Sequence, residues 1–223
     1  MGLDYDYKLR FKREQLGEIL LAVADASQPN ENPPLEVILP GGAEVISLPF
    51  SLLWPKVSSI SCDAEDFQDF LSFGTSLWFE SDALLERYAK AQAAEGHPLR
   101  RDEQGRLNIG YVYLTVMLKS QPGRPRTPET EARDRLPYLD FTFTPATSQM
   151  SLLFAGSESV RRFFISLLEQ HNGIRGEFHD SDYGWGPITI WPETAPDYNP
   201  ANLLDLHDAL APDTPYHRFP MKF

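Results

Sequence analysis

Polar and apolar residues alternate with a period of two at the start of the chain. Tyr5, Tyr7, Leu9 and Phe11 interleave with Asp6, Lys8, Arg10 and Lys12, which predicts a strand with one buried face. The period then changes. Leu16, Ile19, Leu20 and Val23 fall on one face of a helix spanning about 14–27. Leu35 to Leu39 and Glu44 to Leu48 flank Pro40-Gly41-Gly42, a hairpin signal. Pro49 to Pro55 reads as a departure from the sheet, with Trp54 plugging the core, and Val57 to Cys62 reads as a further strand. Asp63 to Phe70 is ambiguous, though Phe67, Phe70 and Leu71 fit a helical stripe, and Ser76 to Phe79 reads as a strand.

Ser81-Asp82 is a helix start, and Leu84, Leu85, Tyr88 and Ala91 give the inner face of a helix over 82–94 that Gly96 and Pro98 end. Tyr111 to Leu118 is almost continuously apolar, which predicts a central strand covered on both faces. Leu139, Phe141 and Phe143 alternate with Asp140, Thr142 and Thr144. Met150 to Phe154 is then a second apolar run, which predicts a hairpin with a longer loop. Ser157 is placed as an N-cap, and Val160, Phe163, Phe164, Leu167, Leu168 and His171 form one stripe of a helix over 157–171. Asn172-Gly173 supplies its left-handed stop. Ile174 to Phe178 and Ile188 to Trp191 read as two more strands, and Leu203 to Leu210 as a short last helix.

A strand, a polar cap and an amphipathic helix recur at 9–20, 77–88 and 152–164. A duplicated unit would produce this, and so would simple repetition of strand-to-helix grammar, which is the more economical account. No regular βαβα alternation is present. The expectation is therefore an α+β fold, a largely antiparallel sheet with three amphipathic helices packed on it. The chain is expected to form a single domain over 1–223, with a mobile Pro-rich loop at 120–137 and an irregular tail at 192–223.

Composition narrows the class. The chain has 223 residues, 42% hydrophobic and 12% aromatic, which suffices for a large core. One cysteine, Cys62, excludes an internal disulfide framework and fits a cytoplasmic protein. No apolar run reaches the length of a membrane span, so no membrane association is expected. The formal net charge is −12 and it is segregated: Lys56 is the only base between Glu14 and Glu86, and none occurs between Gly176 and Asp213. Such a chain repels phosphate backbones, which disfavours nucleic acid, and attracts a basic protein.

Candidate chemistry gathers at one turn. Glu177, His179, Asp180 and Asp182 could together serve metal-assisted hydrolysis, with Glu177 as base. Yet no HExxH, CxxC, EF-hand, GxSxG, P-loop or GxGxxG pattern is present, so no catalytic residue, metal or cofactor is assigned. Acidic neighbours make Cys62 a poor nucleophile, and His171 reads as a satisfied core or capping histidine. The favoured expectation is an immunity-type toxin inhibitor that recognises a basic partner. Asp180 and Asp182 would steer it, and Tyr183 and Trp185 would anchor it. A small-ligand sensor domain is the further alternative.

Overall fold

The computed structural model describes residues 5–29, 33–42, 44–53, 57–62, 70–118, 137–180 and 188–192. The sequence expectations for Trp54, for 63–69, for the loop at 120–136 and for the last helix and tail from 193 onward lie outside these residues. The fold is α+β, as expected. Seven strands form the main sheet: β1 (Tyr5–Lys12), β4 (Ser51–Leu52), β6 (Phe70–Phe79), β7 (Leu107–Met117), β8 (Tyr138–Pro145), β9 (Arg175–Asp180) and β10 (Ile188–Trp191). Their order is β10-β9-β1-β8-β7-β6-β4, and every pairing is antiparallel. A second sheet holds β2 (Leu35–Ile38), β3 (Val45–Leu48) and β5 (Ser59–Ser61), with β2 antiparallel to β3 and parallel to β5. The β2–β3 hairpin turns at Pro40-Gly41-Gly42 as the sequence predicts, and Gly41 takes φ 81°, a conformation that suits glycine.

The described residues include four α-helices: α1 (Leu16–Asp25), α2 (Ala83–Ala94), α3 (Ser148–Gly156) and α4 (Glu158–Gln170). Helix α3 overturns the hairpin expected at 138–154. Met150 to Phe154 is helical, with Thr147 as its N-cap accepting a bond from the Met150 amide at 3.2 Å. Met150, Ser151, Leu153, Phe154 and Ala155 are all buried, so this helix is apolar on most of its circumference. A short run of that kind carries no 3.6-residue period and cannot be told from a buried strand. The third copy of the supposed strand–helix repeat disappears with it.

Three further corrections concern the sheet. Strand β7 is interior but not covered on both faces: Tyr111 is 58% exposed and Tyr113 36%. The run reads as apolar because tyrosine has an apolar ring, yet its hydroxyl end favours water. Strand β6 starts at Phe70, so Phe70 and Leu71 belong to a strand instead of a helical stripe. Ser51 and Leu52 have not left the sheet; they pair with Gly74 and Phe73 at its edge. The stop after α4 is also shared differently. Asn172 takes the left-handed conformation, at φ 51°, and Gly173 is needed because a Cβ there would lie 2.3 Å from Leu168 Cδ2 and 3.0 Å from Leu168 Cα.

One face of the main sheet is dry and aromatic. Tyr7, Leu9, Phe11, Leu139, Phe141, Phe143, Leu114, Val116, Phe73 and Phe178 are buried there. Phe164 of α4 is fully buried against it, with ring centroids 4.3 Å from Tyr7, 4.9 Å from Phe143, 5.6 Å from Phe154 and 6.4 Å from Phe79. The Tyr7 hydroxyl donates to the Phe154 carbonyl at 2.9 Å, which satisfies the one polar atom brought into this cluster by that ring. Burial pushes the Tyr7 phenol far above its ordinary pKa.

Asp82 fastens two helices at once. Its Oδ1 accepts from the Leu84 and Leu85 amides at 2.9 and 2.8 Å and caps α2. Its Oδ2 accepts from the Ser157 hydroxyl at 2.6 Å and the Ser159 amide at 3.1 Å, at the start of α4. Ser157 in turn caps α4 by accepting from Val160 N at 3.2 Å. Burial pushes the Asp82 pKa up, but the bonds from Leu85, Ser157, Ser159 and Leu84 together hold it below the ordinary value.

Two stability measurements test this account. Phe164→Ala is expected to cost ~3–5 kcal/mol in denaturant unfolding, and a loss below about 1 kcal/mol would mean the face is not packed. Asp82→Ala is expected to cost ~2–3 kcal/mol, more than one helix cap alone, because two orphaned helix starts are exposed. Equal losses in Asp82→Ala, Ser157→Ala and the double variant would show that the two caps act as one unit. Additive losses would show them independent.

Candidate functional site

The dry face forces the opposite set of side chains outward. Strand alternation places Asp6, Lys8 and Arg10 of β1 on the other side of the sheet from Tyr7 and Leu9. The register then sets Lys8 opposite Glu177 and Thr142, and Arg10 opposite Arg175 and Asp140. The result is a band of charge across β9, β1 and β8. Arg10 holds Asp140 with both carboxylate oxygens, at 2.7 and 3.1 Å, and Lys8 Nζ lies 3.2 Å from the same group. The Arg10 guanidinium also lies 4.2 Å from the centre of the Tyr138 ring. On β9, Arg175 meets Glu177 at 2.7 Å, and His179 Nε2 lies 3.2 Å from Glu177 Oε2.

These pairs alter proton affinities in a consistent direction. For Asp140, burial raises the pKa, but Arg10 and Lys8 bring it below the ordinary carboxylate range. For Glu177, the hydrogen bond with His179 lowers it first, burial opposes that, and Arg175 and Lys8 lower it further. A carboxylate so stabilised is a weak proton acceptor, and both its oxygens are engaged. This arrangement argues against Glu177 as the base of a metal-assisted hydrolase.

The sequence candidates are placed as follows. Glu177 and His179 share one face of β9, as expected. Asp180 is the last residue of that strand, paired with Tyr5. Asp182, Tyr183 and Trp185 lie outside the described residues. Among the described residues no group of three or more His, Cys, Asp or Glu side chains is arranged to hold a metal ion. His171 does cap α4, and its Nδ1 lies 2.6 Å from Glu18 Oε1, which ties α4 to α1. Cys62 is buried.

Sequence reasoning missed Lys8, Arg10 and Asp140 as a unit, because only the β1–β8 register brings them together. It also missed Asn108. A polar residue inside the otherwise apolar stretch Leu107–Ile109, followed by Gly110, was the available sign of a bulge there.

The paired band yields a pH prediction. Because the folded pKa of Asp140 is lowered, its stabilisation is present above the unfolded value, about 3.9, and is lost as pH falls through the folded value. Asp140→Asn keeps the shape and removes the charge. It should cost ~1–3 kcal/mol at neutral pH and make stability fall less steeply between pH 5 and pH 2, roughly the window of such a titration. An unchanged acid slope would show that the carboxylate is not held by these cations.

No known family matches this chain, and no curated protein matches it. Among solved structures it is similar to a chain in the crystal structure of the toxic C-terminal tip of CdiA from Pseudomonas aeruginosa in complex with immune protein. The identity is 11%, with 82% of this chain and 88% of that chain covered, at a TM-score of 0.34. A likeness at that level carries no argument about function.

Proposed function

We propose that this chain is a binding protein for a basic protein partner, acting as an immunity-type inhibitor in the cytoplasm. The observation that carries the reading is the unequal fate of the two signs of charge. Lys8, Arg10, Arg101, Arg106, Arg161, Arg162 and Arg175 form ion pairs within the chain. Asp25, Glu36, Glu44, Glu80, Glu95, Glu103 and Glu169 are exposed and have no ion pair among the described residues. Unpaired carboxylates therefore outnumber unpaired bases on the described surface, in keeping with the chain's net charge of −12. Such a field raises the encounter rate with a cationic surface and repels acidic ones.

The contact residues we assign are Asp180, Asp182, Tyr183 and Trp185. Support comes from their position in the chain. Residues 181–187 connect β9 to β10, and β10 is an edge strand of the main sheet. Carboxylates there would steer the partner, and the aromatic side chains would hold it once docked. The lone, buried Cys62 is compatible with a reducing compartment, and no helix among the described residues is long and apolar enough to cross a membrane.

Capture from host lysate followed by binding kinetics tests the proposal. A basic partner should be recovered near stoichiometry, with an association rate that falls steeply between low and physiological salt. Trp185→Ala should speed dissociation by roughly thirtyfold, the size expected for an interface anchor, and leave association nearly unchanged. An acidic partner, or association indifferent to salt, would sink the reading.

A further inference from the structure

Strands β6 and β7 do not pair evenly. Ser76 lies opposite Tyr111 and Trp78 opposite Asn108, so Ile109 and Gly110 together face the single residue Leu77. Gly110 takes φ 98°, as the extra residue of a bulge commonly does when it is glycine. On the outer side of β6, Gln28 N donates to Ser76 O at 2.7 Å and Trp78 N donates to Ala26 O at 2.9 Å. β4 pairs only farther along, at Phe73 and Gly74. A pocket of about 510 Å³ opens at the bulge. Its lining includes Ser76, Asn108, Tyr111, Arg100 and the apolar rings of Pro49 and Pro98.

The polar groups in this pocket are not balanced. Asn108 is 6% exposed, and its Oδ1 accepts from Ser76 Oγ at 2.7 Å and from Gly110 N at 3.1 Å. A backbone N–H can only donate, so this contact identifies the oxygen of the amide and leaves Nδ2 as the other atom. Nδ2 is buried and has no hydrogen-bond partner among the described residues. Leaving such a donor unmet costs free energy that a bound acceptor would recover. Arg100 is the one charged residue among the described residues lining the pocket. Its backbone carbonyl accepts from Asn108 N at 3.1 Å, which fixes its segment against the bulge. Its guanidinium is exposed and has no ion pair among the described residues, whereas most other described arginines are paired. The Tyr111 ring adds a flat wall: it lies across Gly74, where a Cβ would come within 3.2 Å of its Cε1.

One buried unmet donor and one cation without an ion pair, beside an aromatic face, define the complement. We propose that the pocket at the β6–β7 bulge binds a small organic anion, with its carboxylate or phosphate group held by Arg100 and Asn108 and its flat apolar body against Tyr111. The site shares no residue with the proposed partner-binding turn and does not depend on that proposal.

Phenylphosphate, benzoate and the neutral benzyl alcohol, titrated against the full chain and followed by nitrogen-edited NMR, form the test. The expected result is saturable movement of the Asn108 side-chain amide and the Tyr111 backbone amide with one or both anions, at an affinity at least tenfold tighter than for benzyl alcohol. Comparison of the two anions decides between a phosphate and a carboxylate ligand. Arg100→Gln alters an exposed side chain, so it should fold normally and weaken anion binding roughly tenfold, the loss expected for a charge-assisted contact. Shifts confined to other residues, equal binding of the neutral analogue, or full affinity in Arg100→Gln would each overturn the proposal.

Discussion

The fold depends on the way one phenylalanine is held. Phe164 is the point where strands β1, β6 and β8 and helix α3 all meet α4, through Tyr7, Phe79, Phe143 and Phe154. Packed rings of this kind contribute through both buried area and edge-to-face geometry. The geometry is restrictive, because a ring 4.3 Å from Tyr7 on one side and 4.9 Å from Phe143 on another has little room to move. The position of α4 is set from its ends as well. Asp82 and Ser157 hold its start, and His171 ties its finish to Glu18 of α1. With the helix axis fixed at both ends, the ring enters the same site each time the chain folds.

The dry face determines the other face. Once Tyr7, Leu9 and Phe11 point to the helices, alternation leaves no choice for Lys8 and Arg10. Asp140, only 11% exposed at its side chain, would be costly to bury alone and is stable there because two cations reach it. The band of charge is thus a consequence of sheet geometry first. Lys8, Arg10 and Arg175 meet two carboxylates there, Asp140 and Glu177, so the band holds one cation more than it holds anions.

Much of this was legible in the sequence, and the boundary is physical. Period two in 5–11 and 139–144 and the stripe through Val160, Phe164 and Leu167 gave the right elements, because one wet and one dry face leave a periodic trace. The caps at Asp82 and Ser157 were also readable. Helix α3 was not, because a helix enclosed on nearly all sides leaves no such trace. The double use of Asp82 and the Lys8–Arg10–Asp140 cluster require contacts between segments 75 or more residues apart, which no local pattern records, and the bulge left only the trace of Asn108 and Gly110. For the candidate site, only Glu177, His179 and the end of β9 at Asp180 fall within the described residues.

The two binding proposals place opposite demands on one electrostatic field. A net charge of −12 favours a cationic protein and disfavours a small anion approaching from far away. The conflict is one of range. At physiological ionic strength charges are screened over about 8 Å, so carboxylates beyond that distance contribute little at the pocket, whereas a guanidinium in contact acts almost unscreened. A large partner integrates the field over many carboxylates at once, and a small anion samples only its immediate neighbours. Arg100 can therefore present a locally positive site on an acidic protein, provided that no nearby carboxylate pairs with it. Its lack of an ion pair among the described residues is consequently the feature that lets both forms of recognition coexist.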